Sequence, residues 1–385
     1  MPWNTRNVSD QRHRFVIEAS QKHKSLAALS ASYGISRQTG YVWFKRYQQE
    51  GIAGIREHSR RPRHSPQTVA AEVVDAVIEA RRQRPDWGAQ KLHRVLLDEH
   101  PQLPRISVST VHRILDRAGL LEDGDRHRPA PLRFERARAN ELWQMDFKGP
   151  QGFNQGVGPL SILDDHSRYV ILLEHVGSTQ LQPVRMAMQQ AFVESGLPEA
   201  LLIDHGTPWW NGASASGWTE LTVWILRQGI PIAFSGFRHP QTQGKVERMH
   251  GALQRAARKR RREFSDQRWL DEFRHEYNHV RPHQTLEMRT PASRWQPSPR
   301  AFQPDPPEWI YPADVEPLRL SGEGQLRWRG RRWEISRALR HQLVGVRVIE
   351  NRALVYFCKT IVRELDFGTG HSAAFPLDAP GSIQR

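Results

Sequence analysis

Three carboxylates stand where chemistry could use them: Asp146 in Leu142-Trp-Gln-Met-Asp-Phe-Lys148, Asp204 in Ala200-Leu-Leu-Ile-Asp-His-Gly206, and Glu247 in Gln243-Gly-Lys-Val-Glu-Arg-Met-His250. In the first segment Trp143, Met145 and Phe147 alternate with Gln144, Asp146 and Lys148. A period of two therefore sets Asp146 on the polar face of a strand whose other face is core. Asp204 falls where an apolar strand gives out, at the carboxyl edge where α/β sheets bind ligands. In the third segment Val246, Met249, Leu253 and Ala257 make an apolar helix stripe, and Glu247 sits beside it in the first turn, aimed back toward the sheet. Three converging carboxylates would repel one another and raise at least one pKa unless a cation were bound. Hard oxygen donors select Mg2+ or Mn2+, and two such ions roughly 3.5–4 Å apart serve the attacking and leaving oxygens of phosphoryl transfer. Taken singly, each acid reads as a surface or capping residue. The three contexts together favour a metal-dependent phosphoryl-transfer site.

Composition narrows the partner. The 385 residues exceed one ordinary core and favour two to four domains. Lys and Arg number 56 against 41 Asp and Glu, a formal charge of +15 and a pI near 10.5, which points to a polyanion and first to nucleic acid. No apolar run of about 18 residues, signal peptide or lipidation motif is present, so a membrane is not expected. The single Cys358 excludes an internal disulfide framework and a cysteine zinc site, which fits a cytoplasmic protein.

The elements that must position the acids alternate with basic connectors, and a helical segment leads. Residues 12–33 carry apolar positions at helical spacing, Tyr33-Gly-Ile-Ser36 breaks them, and Arg37 to Tyr47 resumes them. Ser25 to Ser32 reads as a first short helix, Gly34 as a turn position tolerant of positive φ, and Ser36 as a cap, the pattern of a helix-turn-helix over 1–58. Arg37, Gln38, Tyr41 and Lys45 then face a DNA major groove while Leu26, Leu29, Ile35, Val42 and Phe44 pack inward. The same spacing also describes a solvated three-helix bundle. Residues 59–67 read as a basic linker whose Arg60, Arg61 and Arg63 lie along phosphates. A second helix-turn-helix-like set follows over 68–121 with helices at 68–84, 87–99 and 107–118, and 122–140 reads as another basic linker.

From 141 to 295 strands alternate with helices: a hairpin from Leu160 to Leu173 turning at Asp164 to Ser167, a helix from Thr179 to Glu194, a buried strand at Ala200–Ile203, a helix near 217–228, a strand at Ile230–Phe234 and a long helix over 244–262. Turn geometry accounts for Asp164 and Asp165. Residues 296–317 read as a Pro-rich linker, and short alternating runs over 318–366 have the spacing of a small SH3-like β-barrel, with 367–385 as a tail.

At this point a family resemblance becomes specific. Trp143-Gln-Met-Asp-Phe-Lys-Gly149, Asp164-Asp-His-Ser-Arg168, Ile203-Asp-His-Gly206, Gly236 to His250, and Tyr277-Asn-His-Val-Arg-Pro-His283 with Thr290-Pro-Ala292 resemble the DDE transposases of bacterial insertion sequences. That family has a retroviral-integrase-like catalytic core and an RNase H-like fold, and the likeness covers about 140–295. It implies that Asp146, Asp204 and Glu247 are the catalytic and metal-binding acids and that Lys245 and Arg248 contact DNA phosphates. Beside that site, Arg258, Lys259, Arg260, Arg261 and Arg262 are expected to form a phosphate track. The sequence departs from the family at His205, where Asn is common, and in a longer stretch from Thr207 to Glu220. Trp209 and Trp210 in that stretch fit two roles, stacking platforms for a splayed base or simple packing. His239, His250 and His283 gather around the third motif with structural hydrogen bonding as their default role.

The resemblance implies a multidomain α/β transposase, acting in a cytoplasmic, nucleoid-associated setting. It binds the terminal inverted repeats of its element and, with Mg2+ or Mn2+, cleaves and joins double-stranded DNA as a dimer or larger assembly on element ends and target. The alternative is a sequence-specific DNA-binding regulator that descends from such an enzyme and no longer cuts.

Overall fold

The computed structural model describes residues 8–57, 69–121, 135–149, 156–214, 216–235 and 244–374. Arg60, Arg61, Arg63 and His239 lie outside these. The chain divides into two compact units, Met1–Val69 and Ala70–Arg385.

The first unit is helical: α1 (Val8–Ser20), α2 (Leu26–Ser32) and α3 (Arg37–Glu50). The helical spacing over 12–33 is thus divided. The break falls at polar Gln21 to Lys24, where Lys22 takes positive φ, and the Ser25 hydroxyl accepts from the Ala28 amide to start α2 afresh. Gly34 has φ +65° in the turn before α3, and Ser36 caps α3 by accepting from the Thr39 amide. Phe15, Val16, Leu29, Ile35, Trp43 and Ile55 form the core. Trp43 rather than Val42 is the buried residue of α3, because the buried stripe runs through 40, 43, 44 and 47 and leaves Val42 44% exposed on the flank.

The second unit opens with α4 (Ala71–Gln83), α5 (Ala89–Glu99) and α6 (Val108–Arg117), close to the helices expected there. A five-stranded sheet follows, built from β1 (Trp143–Phe147), β2 (Leu160–Asp164), β3 (Val170–Glu174), β4 (Leu201–Ile203) and β5 (Ile232–Phe234) in the order β3-β2-β1-β4-β5. The first three strands pair antiparallel, and β1-β4 and β4-β5 pair parallel. Helices α7 (Leu181–Ser195) and α8 (Glu220–Arg227) cover one face, where Met145, Ile162 and Ile203 meet Val184, Met188 and Ile225. Helices α9 (Gly244–Arg260) and α10 (Gln267–His275) cover the other, where Leu163, Val170 and Leu173 meet Val246, Met249, Leu253 and Phe273. The face that carries Asp146 is therefore covered rather than open, because a mixed sheet inside an α/β layer buries both sides.

Residues 296–317, expected as a linker, run against this core. Ser298 N donates to Ser195 O at 2.8 Å, Leu197 N to Arg300 O at 2.8 Å, and Phe302 packs on Phe192 and Trp224. The C-terminal region begins inside that stretch with β6 (Glu316–Arg319) and continues through β7 (Gln325–Trp328), β8 (Arg331–Glu334), β9 (Leu343–Ile349), β10 (Arg352–Phe357), β11 (Thr360–Asp366) and β12 (Ser372–Ala373). The strands form an open sheet, β12-β11-β10-β9-β6, and a separate β7-β8 ribbon. The expected barrel does not close. The apolar residues that alternation assigns to a barrel interior, among them Leu326, Trp333, Val344, Val355 and Val362, share one continuous core with α7 and α8 instead.

Candidate active site

The register of β1 and β4 places two of the acids. Trp143 pairs with Leu201 and Gln144 with Leu202, so carrying the parallel register two residues on sets Asp146 beside Asp204, one strand spacing away. Both alternate onto the face covered by α9. The first turn of α9 carries Glu247, and the helix packs on β1 and β2. One turn further along α9, His250 bonds the helix to β2 and lies near β1. Its Nε2 lies 2.9 Å from Ser161 Oγ, the residue opposite Asp146 in β2, and its Nδ1 lies 3.7 Å from Asp146 Oδ2. Burial, with the nearby Lys148 charge, pushes His250 down to about 3, so the ring is neutral at physiological pH.

Burial is also the largest cause acting on Asp146, followed by the Asp204 charge, and Glu247 adds to it. A backbone hydrogen bond from Phe147 and the Lys148 charge oppose the rise, and the carboxyl is pushed up to about 7. Asp204 is half-buried and accepts from the Gly206 amide at 3.1 Å, while Glu247 is exposed. The three acids are thus electrostatic neighbours. Among the described residues no three His, Cys, Asp or Glu side chains stand ready as a metal cage. The donor set nevertheless suits a hard cation, since three oxygen donors whose mutual charge raises one pKa are what a divalent ion would stabilise.

A second polar cluster holds this arrangement in place. Gln144 is fully buried beside Asp146, donates to Asp165 Oδ1 at 2.8 Å, and its Oε1 accepts from Val246 N at 3.4 Å. Asp165 also takes the Arg136 amide at 2.8 Å and the Lys245 ammonium at 2.6 Å. Asp164 accepts from Ser167 N at 2.7 Å and Asn140 N at 2.8 Å, and both acids are fully buried. Turn geometry alone understates them. They tie the entry segment, the β2-β3 turn and the start of α9 to β1, and the clue in the sequence was Gln144, a polar residue in an apolar strand.

Several expected DNA contacts are placed differently. Lys245 turns inward to Asp165, with its ammonium pushed down to about 8 chiefly by burial. Arg260 is only partly exposed, bonded to Glu276 at 2.6 and 2.7 Å and to the fully buried Asp86 at 2.8 Å. Both are committed to internal carboxylates, because a buried acid needs a partner. Arg248, Arg258, Arg261 and Arg262 are exposed, Lys259 is half-buried, and Arg262 lies 3.8 Å from Asp266. On α3, Arg37, Gln38, Tyr41 and Lys45 are exposed together.

Trp209 and Trp210 are packing residues. Trp209 is 1% exposed and stacks on Phe147, while Trp210 packs against Trp218, Phe234 and the ring of His205. His205 also stacks on Phe234 at 4.8 Å between centroids, which ties the residue that replaces the family's Asn to the loop behind the acids. His283 is half-buried, its Nε2 is enclosed with no hydrogen-bond partner among the described residues, and desolvation holds the ring well below the usual histidine range.

Comparison with known proteins matches three segments of the chain. A helix-turn-helix domain model matches residues 11–63, a homeodomain-like domain model matches 39–115, and an integrase core domain model matches 228–291, a stretch that includes Glu247. Among solved structures, the chain is similar to the simian T-cell lymphotropic virus intasome in complex with PP2A regulatory subunit B56 gamma, at 15% identity and a TM-score of 0.36 over 70% of this chain and 91% of that one. It is also similar to the HTLV-2 integrase catalytic core domain in complex with magnesium, in trimeric and dimeric forms, at 14% and 15% identity and a TM-score of 0.32 over 41% of this chain and 97% of theirs. Helix-turn-helix segments ahead of an integrase core domain make this chain a DNA-binding protein of the transposase/integrase type.

Proposed function

We propose that the chain is a transposase of the DDE class, a metal-dependent polynucleotidyl transferase with an RNase H-like core that binds the terminal inverted repeats of a mobile element, cleaves at its ends and joins them to target DNA. The observation that carries this reading is the convergence of three acids: the β1-β4 register sets Asp146 beside Asp204, Glu247 stands in the first turn of the helix packed on the same face, and the Asp146 carboxyl is raised first by burial and then by the charges of the other two. Asp146, Asp204 and Glu247 would hold Mg2+ or Mn2+. Bound there, the ions would supply Lewis-acid charge to the scissile phosphodiester and its attacking and leaving oxygens.

The chain's own residues supply orientation. Neutral His250 sets the height of α9 over Asp146 through Ser161, and Gln144, Asp165 and Lys245 fix the start of the same helix. Arg248, one residue beyond Glu247 and exposed, is placed to meet a phosphate. Two element ends must be joined to one target, so the active unit is a dimer or larger assembly on DNA.

Labelled element-end duplex incubated with the full chain and Mg2+ or Mn2+, scored for nicked and joined products, tests the proposal. Products that disappear in Asp204→Asn and Glu247→Gln, with end binding retained, are the expected result. A folded wild-type chain that binds ends and yields neither product overturns the enzyme and leaves a DNA-binding regulator.

A further inference from the structure

The junction of α10 with the segment after it carries a motif that the three acids do not use. His275-Glu276-Tyr277-Asn278-His279 has the H-E-x-x-H spacing that sets two imidazoles one helical turn apart for a zinc ion. His275 closes α10, and His279 stands in a π-helical turn, Glu276–Val280, a backbone form frequent at functional sites. The turn is fixed from its inner side. Tyr277 is buried, and Asn278 brackets Val170 of β3, its Oδ1 accepting from Val170 N at 2.8 Å and its Nδ2 donating to Val170 O at 2.9 Å. With those two residues inward, His275 and His279 are left exposed, their rings stacked with centroids 4.8 Å apart.

Among the described residues neither side chain has a hydrogen-bond partner or an ion pair. Two imidazoles held face to face gain little from each other and repel when both are protonated, whereas a shared cation satisfies both nitrogens. The pair opens on a groove of about 280 Å3 that Glu194 of α7 and Asp271, one turn before His275, also line. Arg274, the sole Lys or Arg among the described lining residues, spends an N–H on Ile171 O at 2.9 Å. Glu276 does not line the groove. Its carboxylate takes two Arg260 nitrogens, at 2.6 and 2.7 Å, so it is not free to serve as the general base that this motif supplies in metalloproteases. The motif keeps only the ion-holding half of its chemistry.

We propose that His275 and His279 hold a borderline divalent ion, Zn2+ foremost, in a structural site separate from the three acids. Imidazole nitrogen suits such an ion and carboxylate oxygen suits Mg2+, so the two sites divide by ligand type. No third His, Cys, Asp or Glu completes a cage among the described residues, so the remaining positions go to water, with Glu194 and Asp271 supplying negative charge in the same groove. An ion across the two rings ties the last residue of α10 to the π turn and, through Asn278, to β3. The site does not depend on the proposed reaction, and it is read without an activity assay.

The test uses the full chain, stripped with a chelator and returned to excess Mg2+ so that the oxygen site is supplied. Zn2+ is then titrated in competition with a chromophoric chelator. A single high-affinity Zn2+ per chain is expected, with a rise in melting temperature. His275→Asn and His279→Asn, both at exposed positions, should each weaken that affinity by about tenfold or more, since losing even a ligand's supporting hydrogen bond costs that much. Asp204→Asn/Glu247→Gln should leave it unchanged. Zn2+ binding that survives both histidine changes overturns the proposal, and so does binding lost in the acid variant instead. Nitrogen NMR of the unaltered chain decides the matter without a variant: the ring signals of His275 and His279 should shift on adding Zn2+, and rings that do not respond overturn the site.

Discussion

Asp146 is the residue on which this site turns. Its carboxyl is largely buried and faces two other acids, so in metal-free buffer at neutral pH it is still partly protonated where an exposed Asp would be fully ionised. Asp146→Asn removes the ionisation cost and keeps the shape. The substitution is expected to stabilise the metal-free protein by about 1–3 kcal/mol at pH 8 and to abolish joining. Mg2+ should raise the melting temperature of the wild type by binding the folded state, and that rise should shrink in the variant. Differential scanning fluorimetry with and without Mg2+ checks both. A variant that melts earlier than wild type, or keeps its full Mg2+ response, removes Asp146 from the cation site.

At the scale of elements, the decisive joint lies between the α4-α5 turn and the end of α9. Asp86 is fully buried and receives Arg260 and Arg281 at 2.8 Å each. Burial alone would raise its pKa, but the two guanidiniums and their hydrogen bonds outweigh it and hold the carboxyl below the usual range. Asp86→Ala leaves two cations facing each other in the interior and is expected to cost about 3–5 kcal/mol, read by urea denaturation. A loss below about 1 kcal/mol would show that water relieves the pair.

Lys91 on α5 feels the same cluster. Burial, then repulsion from Arg281 and Arg255, pushes its ammonium down to about 7 against an ordinary value of 10.5. The unfolded chain therefore keeps a proton between those values that the folded chain has released, and stability gains from this group as pH rises from 7 to 10.5. Lys91→Met should stabilise the protein by about 1–3 kcal/mol at pH 7, with the advantage fading toward pH 10. Equal gains at both pH values would show that Lys91 stays charged in the fold.

Over the whole molecule, the residues proposed to read DNA and those proposed to cut it fall in different compact units. The α3 residues belong to the first unit and the three acids to the second. The two functions should therefore separate by mutation. Arg37→Ala or Gln38→Ala is expected to cost about 1–3 kcal/mol of discrimination between element ends and random duplex. The same changes should leave the melting temperature within about 1 °C, since both side chains are exposed. Competition binding checks the first and calorimetry the second. Equal losses on specific and random DNA would make α3 a phosphate contact instead of a reader.

Most of the element order was legible in the sequence, because alternation and helical stripes report burial directly. The helices over 68–118, the β2-β3 hairpin and α9 required only period and capping residues, and the three acids stood out by their places at strand ends and a helix start. Other features were set by contacts between residues far apart in the chain. Gln144, Asp165 and Lys245 form one cluster from three elements, and Arg260 left the expected phosphate track for Asp86, which no local spacing links to it. Trp209 was equally suited to stacking or packing until the sheet closed over it. The C-terminal strands showed alternation, which fixes the face each residue takes but not whether a sheet closes, so the open sheet and its core shared with α7 and α8 appeared only in three dimensions. A chain writes its burial pattern locally, whereas the partner of a buried charge is chosen by whatever the tertiary fold brings within reach.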